Sequence, residues 1–86
     1  MQFPITIIIL EKKYVPLFEM INVMKSNIYM FFGDAKKAKQ ALISILDKNQ
    51  NSYQAHRLLA EIYEKEGGMR KAIDEYVQAV DLNKQD

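Results

Sequence analysis

The side chains able to do chemistry are few and scattered. Glu61, Glu64 and Glu66 crowd the end of one helical stretch, where neighbouring carboxylates could trade a proton or hold a cation weakly. With no histidine or cysteine beside them, they read as a solvated face. His56 is the sole histidine, and one imidazole does not make a metal site. It could act as a pH-sensitive group, but it occupies a packing position near the start of its stretch, which favours a structural role. Asp74 and Glu75 read as surface. Cysteine is absent, which removes thiol catalysis, cysteine zinc sites and disulfides. Ser26, Ser44 and Ser52 lack the glycine frame of a nucleophile elbow. Gly67-Gly68 is not a phosphate loop, because no strand precedes it and no lysine–serine pair follows. Lys36, Lys37 and Lys39 form a small basic cluster without interleaved aromatics for base stacking, so it too reads as solvated. The expectation is a non-enzyme with no catalytic residue, no cofactor and no metal.

Any functional surface must be carried by a small molecule. The chain has 86 residues, a net charge of +1 and 49% hydrophobic residues. One domain fits that length, with a core near the lower limit of self-sufficiency. The near-zero charge gives no broad field for nucleic acid and no strong pull to anionic lipid. Apolar residues are unevenly placed: residues 1–32 hold 20 of the 42 with only five charges, and residues 33–86 hold 22 with 18 charges. The apolar beginning does not read as a membrane span. Its uncharged run is about ten residues, against the roughly 18–20 a span needs. Nor does Met1-Gln2-Phe3-Pro4 supply the basic start of a signal peptide. Ile5, Ile7, Ile8 and Ile9 are β-branched, so this run is expected to be extended.

Beyond it, spacing predicts four helices. Pro16 suits a first turn, and Leu17, Met20, Ile21, Met24, Ile28, Phe31 and Phe32 then recur at helical intervals over 17–32. Gly33 ends that stretch and Asp34 caps the next, 35–48, whose apolar face is Ala38, Leu42, Ile45 and Leu46. After the polar break 49–52, with Ser52 as cap, comes 53–66 with Ala55, Leu58, Leu59, Ile62 and Tyr63. Gly67-Gly68 breaks the chain before 69–82, which carries Ala72, Ile73, Tyr76, Ala79 and Val80. Short turns between such helices make antiparallel hairpins.

Sliding the chain so that Gly33 falls on Gly67 lays its two halves on each other. Seven identities result: Ile28/Ile62, Tyr29/Tyr63, Gly33/Gly67, Lys37/Lys71, Ala38/Ala72, Asp47/Asp81 and Asn49/Asn83. Ser26/Ala60, Met24/Leu58, Lys36/Arg70, Ile43/Val77 and Leu46/Val80 are similar pairs. That period, with two helices per unit, resembles the tetratricopeptide repeat, whose unit is about 34 residues. In 53–86, Leu59-Ala60 with Tyr63, and Ala72, Tyr76 and Ala79, look like that family's two signatures. In 19–52, Ser26, Tyr29 and Ala38 fit. Lys25, Leu42 and Ile45 depart from the pattern, as do Asn22 and His56 at the usual tryptophan, and Gln50 and Lys84 at the usual proline. The resemblance covers positions 19–86. It implies an all-α fold of antiparallel helix hairpins stacked as a short right-handed superhelix, an α-α solenoid. An apolar N-terminal segment (1–18) would precede a degenerate repeat (19–52) and a second repeat (53–86).

The resemblance also implies a concave groove for a peptide or helix partner. Its apolar half would be Met20, Val23, Asn27, Met30 and Phe31, and its charged half Gln54, Arg57, Glu61, Glu64 and Lys65. A bland alternative has Met30 and Phe31 covered by residues 3–15. Some family members clamp the acidic tails of chaperones. Asn27 fits that clamp, but Val23 and Leu58 stand where its lysine and next asparagine belong, which disfavours that partner. Repeats need neighbours to bury their faces, and Ile73, Val77 and Val80 would face a helix that does not follow. The expectation is therefore a cytoplasmic protein–protein scaffold that also self-associates as a homo-oligomer, through those three residues, the N-terminal segment or both, with no nucleic-acid partner. A membrane adaptor held by residues 3–18, and a purely structural oligomer, are the rival readings.

Overall fold

The computed structural model describes residues 5–83, with side-chain environments from residue 14 onward. Among the described residues the elements are α1 (Ile5–Phe31), α2 (Ala35–Lys48), α3 (Tyr53–Lys65) and α4 (Met69–Asn83), with no strand. The turns explain the plan. Gly33 and Gly67 adopt φ of +79° and +83°, a left-handed conformation that glycine takes without a Cβ clash. Each closes its helix with the same pair of bonds. Gly33 N–H donates to Met30 O (3.0 Å) and Asp34 N–H to Tyr29 O (2.8 Å). Gly67 N–H donates to Glu64 O (3.1 Å) and Gly68 N–H to Tyr63 O (2.8 Å). This is the Schellman arrangement, repeated at the same register position in each hairpin. Two side chains start the following helices: Asp34 Oδ1 accepts from Lys37 N–H at 3.1 Å, and Ser52 Oγ accepts from Ala55 N–H at 3.2 Å.

α1 packs on α2 and α3 on α4, each pair antiparallel, and the two hairpins meet through α2 and α3. Ser26 and Ala38 in the first hairpin, and Ala60 and Ala72 in the second, are almost fully buried. Small residues there let the backbones approach closely. The main core joins Val23 of α1, Ala38, Leu42 and Ile45 of α2, and Ala55, Leu59 and Ile62 of α3. Leu42, Ile45 and Leu59 are each at most 1% exposed, and full burial of such a side chain stabilises by about 1.5–3 kcal/mol.

The first helix departs from the sequence-based expectation in two ways. Residues 5–15 are helical rather than extended, and Pro16 lies inside α1 rather than at its first turn. An extended run must find donors and acceptors on another strand, whereas a helix satisfies its own backbone and grows cooperatively from an existing helix. Pro16 takes away one such bond, to the carbonyl of residue 12. α1 also runs unbroken through residues 18 and 19, where the sequence divides leader from repeat.

The apolar series Leu17, Met20, Ile21, Met24, Ile28, Phe31 and Phe32 faces away from the core, every member at least half exposed. The inward side is Asn22, Val23 and Ser26, flanked by Tyr29 and Met30. α1 carries apolar residues all round, so periodicity alone does not choose its inner face.

Candidate functional site

The ten expected groove positions fall on α1 and α3 in five register pairs: Met20/Gln54, Val23/Arg57, Asn27/Glu61, Met30/Glu64 and Phe31/Lys65. Met20, Asn27 and Phe31 are exposed on α1, and Gln54, Glu64 and Lys65 on α3. Phe31 is 84% exposed. Arg57 and Glu61 are half-buried and pair with each other, Arg57 Nη1 donating to Glu61 Oε1 at 2.8 Å. Val23 is a correction. It is buried in the main core, because the close approach of α1 to α2 turns it inward, and it offers nothing to a partner. Met30 is half-buried against the same core. The suggested cover over Met30 and Phe31 is also corrected. Residues 5–15 continue the axis of α1, whose 27 residues span about 40 Å at 1.5 Å each. They lead away from the Phe31 end instead of folding back; residues 3 and 4 lie outside the described residues.

The three clustered glutamates do not converge. Glu61 holds Arg57, Tyr76 Oη donates to Glu64 Oε1 at 3.0 Å, and Lys39 Nζ donates to Glu66 Oε1 at 2.8 Å. The hydrogen bond to Glu64 raises the Tyr76 phenol above its ordinary value, with desolvation and the charges of Glu64 and Glu61 adding to it and Arg57 opposing. Lys39 is not simply solvated: it ties α2 to the end of α3 and lies 5.4 Å from the Tyr63 ring centroid. Lys37 over Tyr29 (5.9 Å) and Lys71 over Tyr63 (5.7 Å) form one cation–π contact, repeated in register. Among the described residues, no three His, Cys, Asp or Glu side chains stand close enough to share a metal ion.

His56 is buried, as its packing position suggested, but it has partners that the sequence does not reveal. Gln50 O lies 2.9 Å from Nε2 and Glu75 Oε2 lies 3.0 Å from Nδ1. A carbonyl only accepts, so Nε2 carries the hydrogen. Glu75 is therefore more than surface: its side chain is 20% exposed and spans α4 to α3. The register counterparts of this pair are Asn22 and Ala41. They are too short to meet, and a polar recess of about 310 Å³ opens beside them, with Lys25, Tyr29 and Lys37 on its wall. Asn22 instead donates to Phe18 O within its own helix, at 2.9 Å. A second unforeseen link is Glu19, whose Oε1 accepts from the Ser52 hydroxyl at 2.7 Å. The cap of α3 is thereby tied to α1.

At the far end, Ile73, Val77 and Val80 are each at least half exposed and line a shallow apolar depression with Tyr76 and Asp81. Among the described residues, no helix is long and apolar enough to cross a membrane.

These features define an all-α protein of two stacked helical hairpins. Compared with family models, with curated proteins and with solved structures, the chain matches none.

Proposed function

We propose that the chain is a non-enzymatic protein–protein interaction module of the tetratricopeptide type. It holds an amphipathic peptide or helix along α1 and α3 and associates with itself through its end faces. One observation carries the groove: Met20, Asn27 and Phe31 stand exposed along α1 at the register positions that Gln54, Glu61 and Lys65 occupy on α3. A mainly apolar line thus lies beside a mainly charged one, and flexible methionine suits varied partners. Such a surface fits a segment with one apolar end and one charged end.

Selection from a displayed random-peptide library tests this. The expected result is a family of peptides with an apolar block beside a charged block, bound by the intact chain and by Ile73→Glu but lost with Phe31→Ala. No peptide enriched above the Phe31→Ala control would overturn the groove reading.

The exposed apolar face of α1, with Leu17, Met20, Ile21, Met24 and Ile28 at least half exposed, favours a second reading, in which the helix lies on a bilayer surface. Flotation with neutral and anionic liposomes separates the two. Binding to vesicles that is lost with Met24→Glu supports the surface helix, and protein left in the soluble fraction removes it.

A further inference from the structure

The molecule carries one joint between hairpins inside it and both halves of a second joint on its outside. Within the α2–α3 joint, Ala35, Leu42 and Leu46 on one side meet Ala55, Leu58 and Ile62 on the other, all buried or half-buried in a single cluster. The register that lays Gly33 on Gly67 carries the α2 side onto Met69, Tyr76 and Val80 of α4. The reverse shift carries the α3 side onto Ile21, Met24 and Ile28 of α1. Tyr76 is half-buried, and the other five are between 50% and 54% exposed. Both outer faces are apolar, yet nothing among the described residues lies between them and water.

The edge of the joint is the more telling part. Lys39 Nζ and Glu66 Oε1, 2.8 Å apart, bridge α2 to the end of α3. Their register counterparts are Ile73 and Phe32, which are 57% and 77% exposed. Both members of the charged pair have become apolar together. Their own surroundings give no common reason for that, since Ile73 lies beside Tyr76, Val77 and Val80 while Phe32 packs edge-on against Phe31, at opposite ends of the stack. A shared contact does give one: a charge facing an apolar residue in a joint would be left without a partner, and two apolar residues facing each other would not. One position departs from the template. Lys25 stands where Leu59 packs, and a lysine there lays its four-carbon stem on apolar surface while its ammonium reaches the rim.

We propose that copies of this chain stack head to tail, with α4 of one copy packed on α1 of the next as α2 packs on α3. This rests on the self-association part of the proposed function and specifies the surface that Met69, Tyr76 and Val80 meet: Ile21, Met24 and Ile28 of a second copy, with Ile73 against Phe32; Val77, whose counterpart Ile43 is exposed, lies beside the joint. The joint is heterologous, so each added copy leaves one face free at either end.

Two charge substitutions test the arrangement, Ile73→Glu on α4 and Met24→Glu on α1. Both positions are exposed, and circular dichroism verifies that the variants remain helical. In sedimentation velocity the unaltered chain should form species of two copies and more, and each variant alone should sediment as a monomer. Mixed in equal amounts, the variants should form a dimer and nothing larger, because the intact α1 face of one meets the intact α4 face of the other. If Met24→Glu alone still associates while Ile73→Glu does not, α4 pairs with α4. That overturns head-to-tail stacking but leaves self-association standing. If the unaltered chain stays monomeric throughout, both fall and the end faces belong to another protein.

Discussion

The two hairpins share a register but not an environment. Both close on a left-handed glycine with the same pair of bonds, set a lysine over a tyrosine ring, and bury small residues where their helices cross. The difference lies in what surrounds the first helix of each. α3 is packed between α2 and α4, so Ala55, Leu59 and Ile62 are buried. Among the described residues α1 has only α2 packed closely beside it, so Ile21, Lys25 and Ile28, at the same register positions, face out. Position in the stack, not local pattern, decides burial in this molecule. The apolar Ile21 and Ile28 of α1 are therefore exposed where Ala55 and Ile62 of α3 are buried.

The largest expected contrast is Leu59→Ala against Lys25→Ala. The first opens a cavity in the core and should cost about 2–5 kcal/mol in urea unfolding; the second should stay within about 0.5 kcal/mol, as exposed substitutions do. Similar losses would break the account of burial. Next is His56→Ala, which leaves Gln50 O and Glu75 without their partner and should cost about 1–3 kcal/mol. Asn22→Ala, its register counterpart, loses only a bond within one helix and should cost less by the same assay. Gly33→Ala and Gly67→Ala should each lose about 1–2 kcal/mol, the cost of a Cβ in the left-handed region. Near-equal losses sharpen the repeat, and a large inequality would count against it. The smallest effect belongs to Tyr76. Its folded-state phenol is raised, so its contribution is present below the ordinary tyrosine value of about 10. It is lost as pH climbs through the raised folded value. Thermal melts of Tyr76→Phe should lack that part of the alkaline decline, and an unchanged decline would assign it to other groups.

Much of the fold is legible because its signals are local. Asp34 and Ser52 are capping types followed at once by helical spacing, and Gly33 and Gly67 are the residues that tolerate the reversal. The starts of α2, α3 and α4 fall where those signals place them. The start of α1 does not. The β-branched preference of Ile5, Ile7, Ile8 and Ile9 is weak beside the cooperativity of a helix already formed from residue 17 on. The long-range pairings are invisible for another reason. Nothing in the spacing of His56 and Glu75, Glu19 and Ser52, or Lys39 and Glu66 marks them as partners, since they meet only once the helices stack. Val23 illustrates the limit at the site. The ten expected positions pair in register between α1 and α3, but which of them turn inward depends on the closeness of the neighbouring helix.

The most direct measurement is the mass of the unaltered chain by light scattering over a concentration series. One copy weighs 10.0 kDa. The expected result is a mass that climbs with concentration and passes twice that value without levelling there, because a head-to-tail joint leaves a free face at each end. A mass fixed at 10.0 kDa across the series, or one that saturates at two copies, would contradict it.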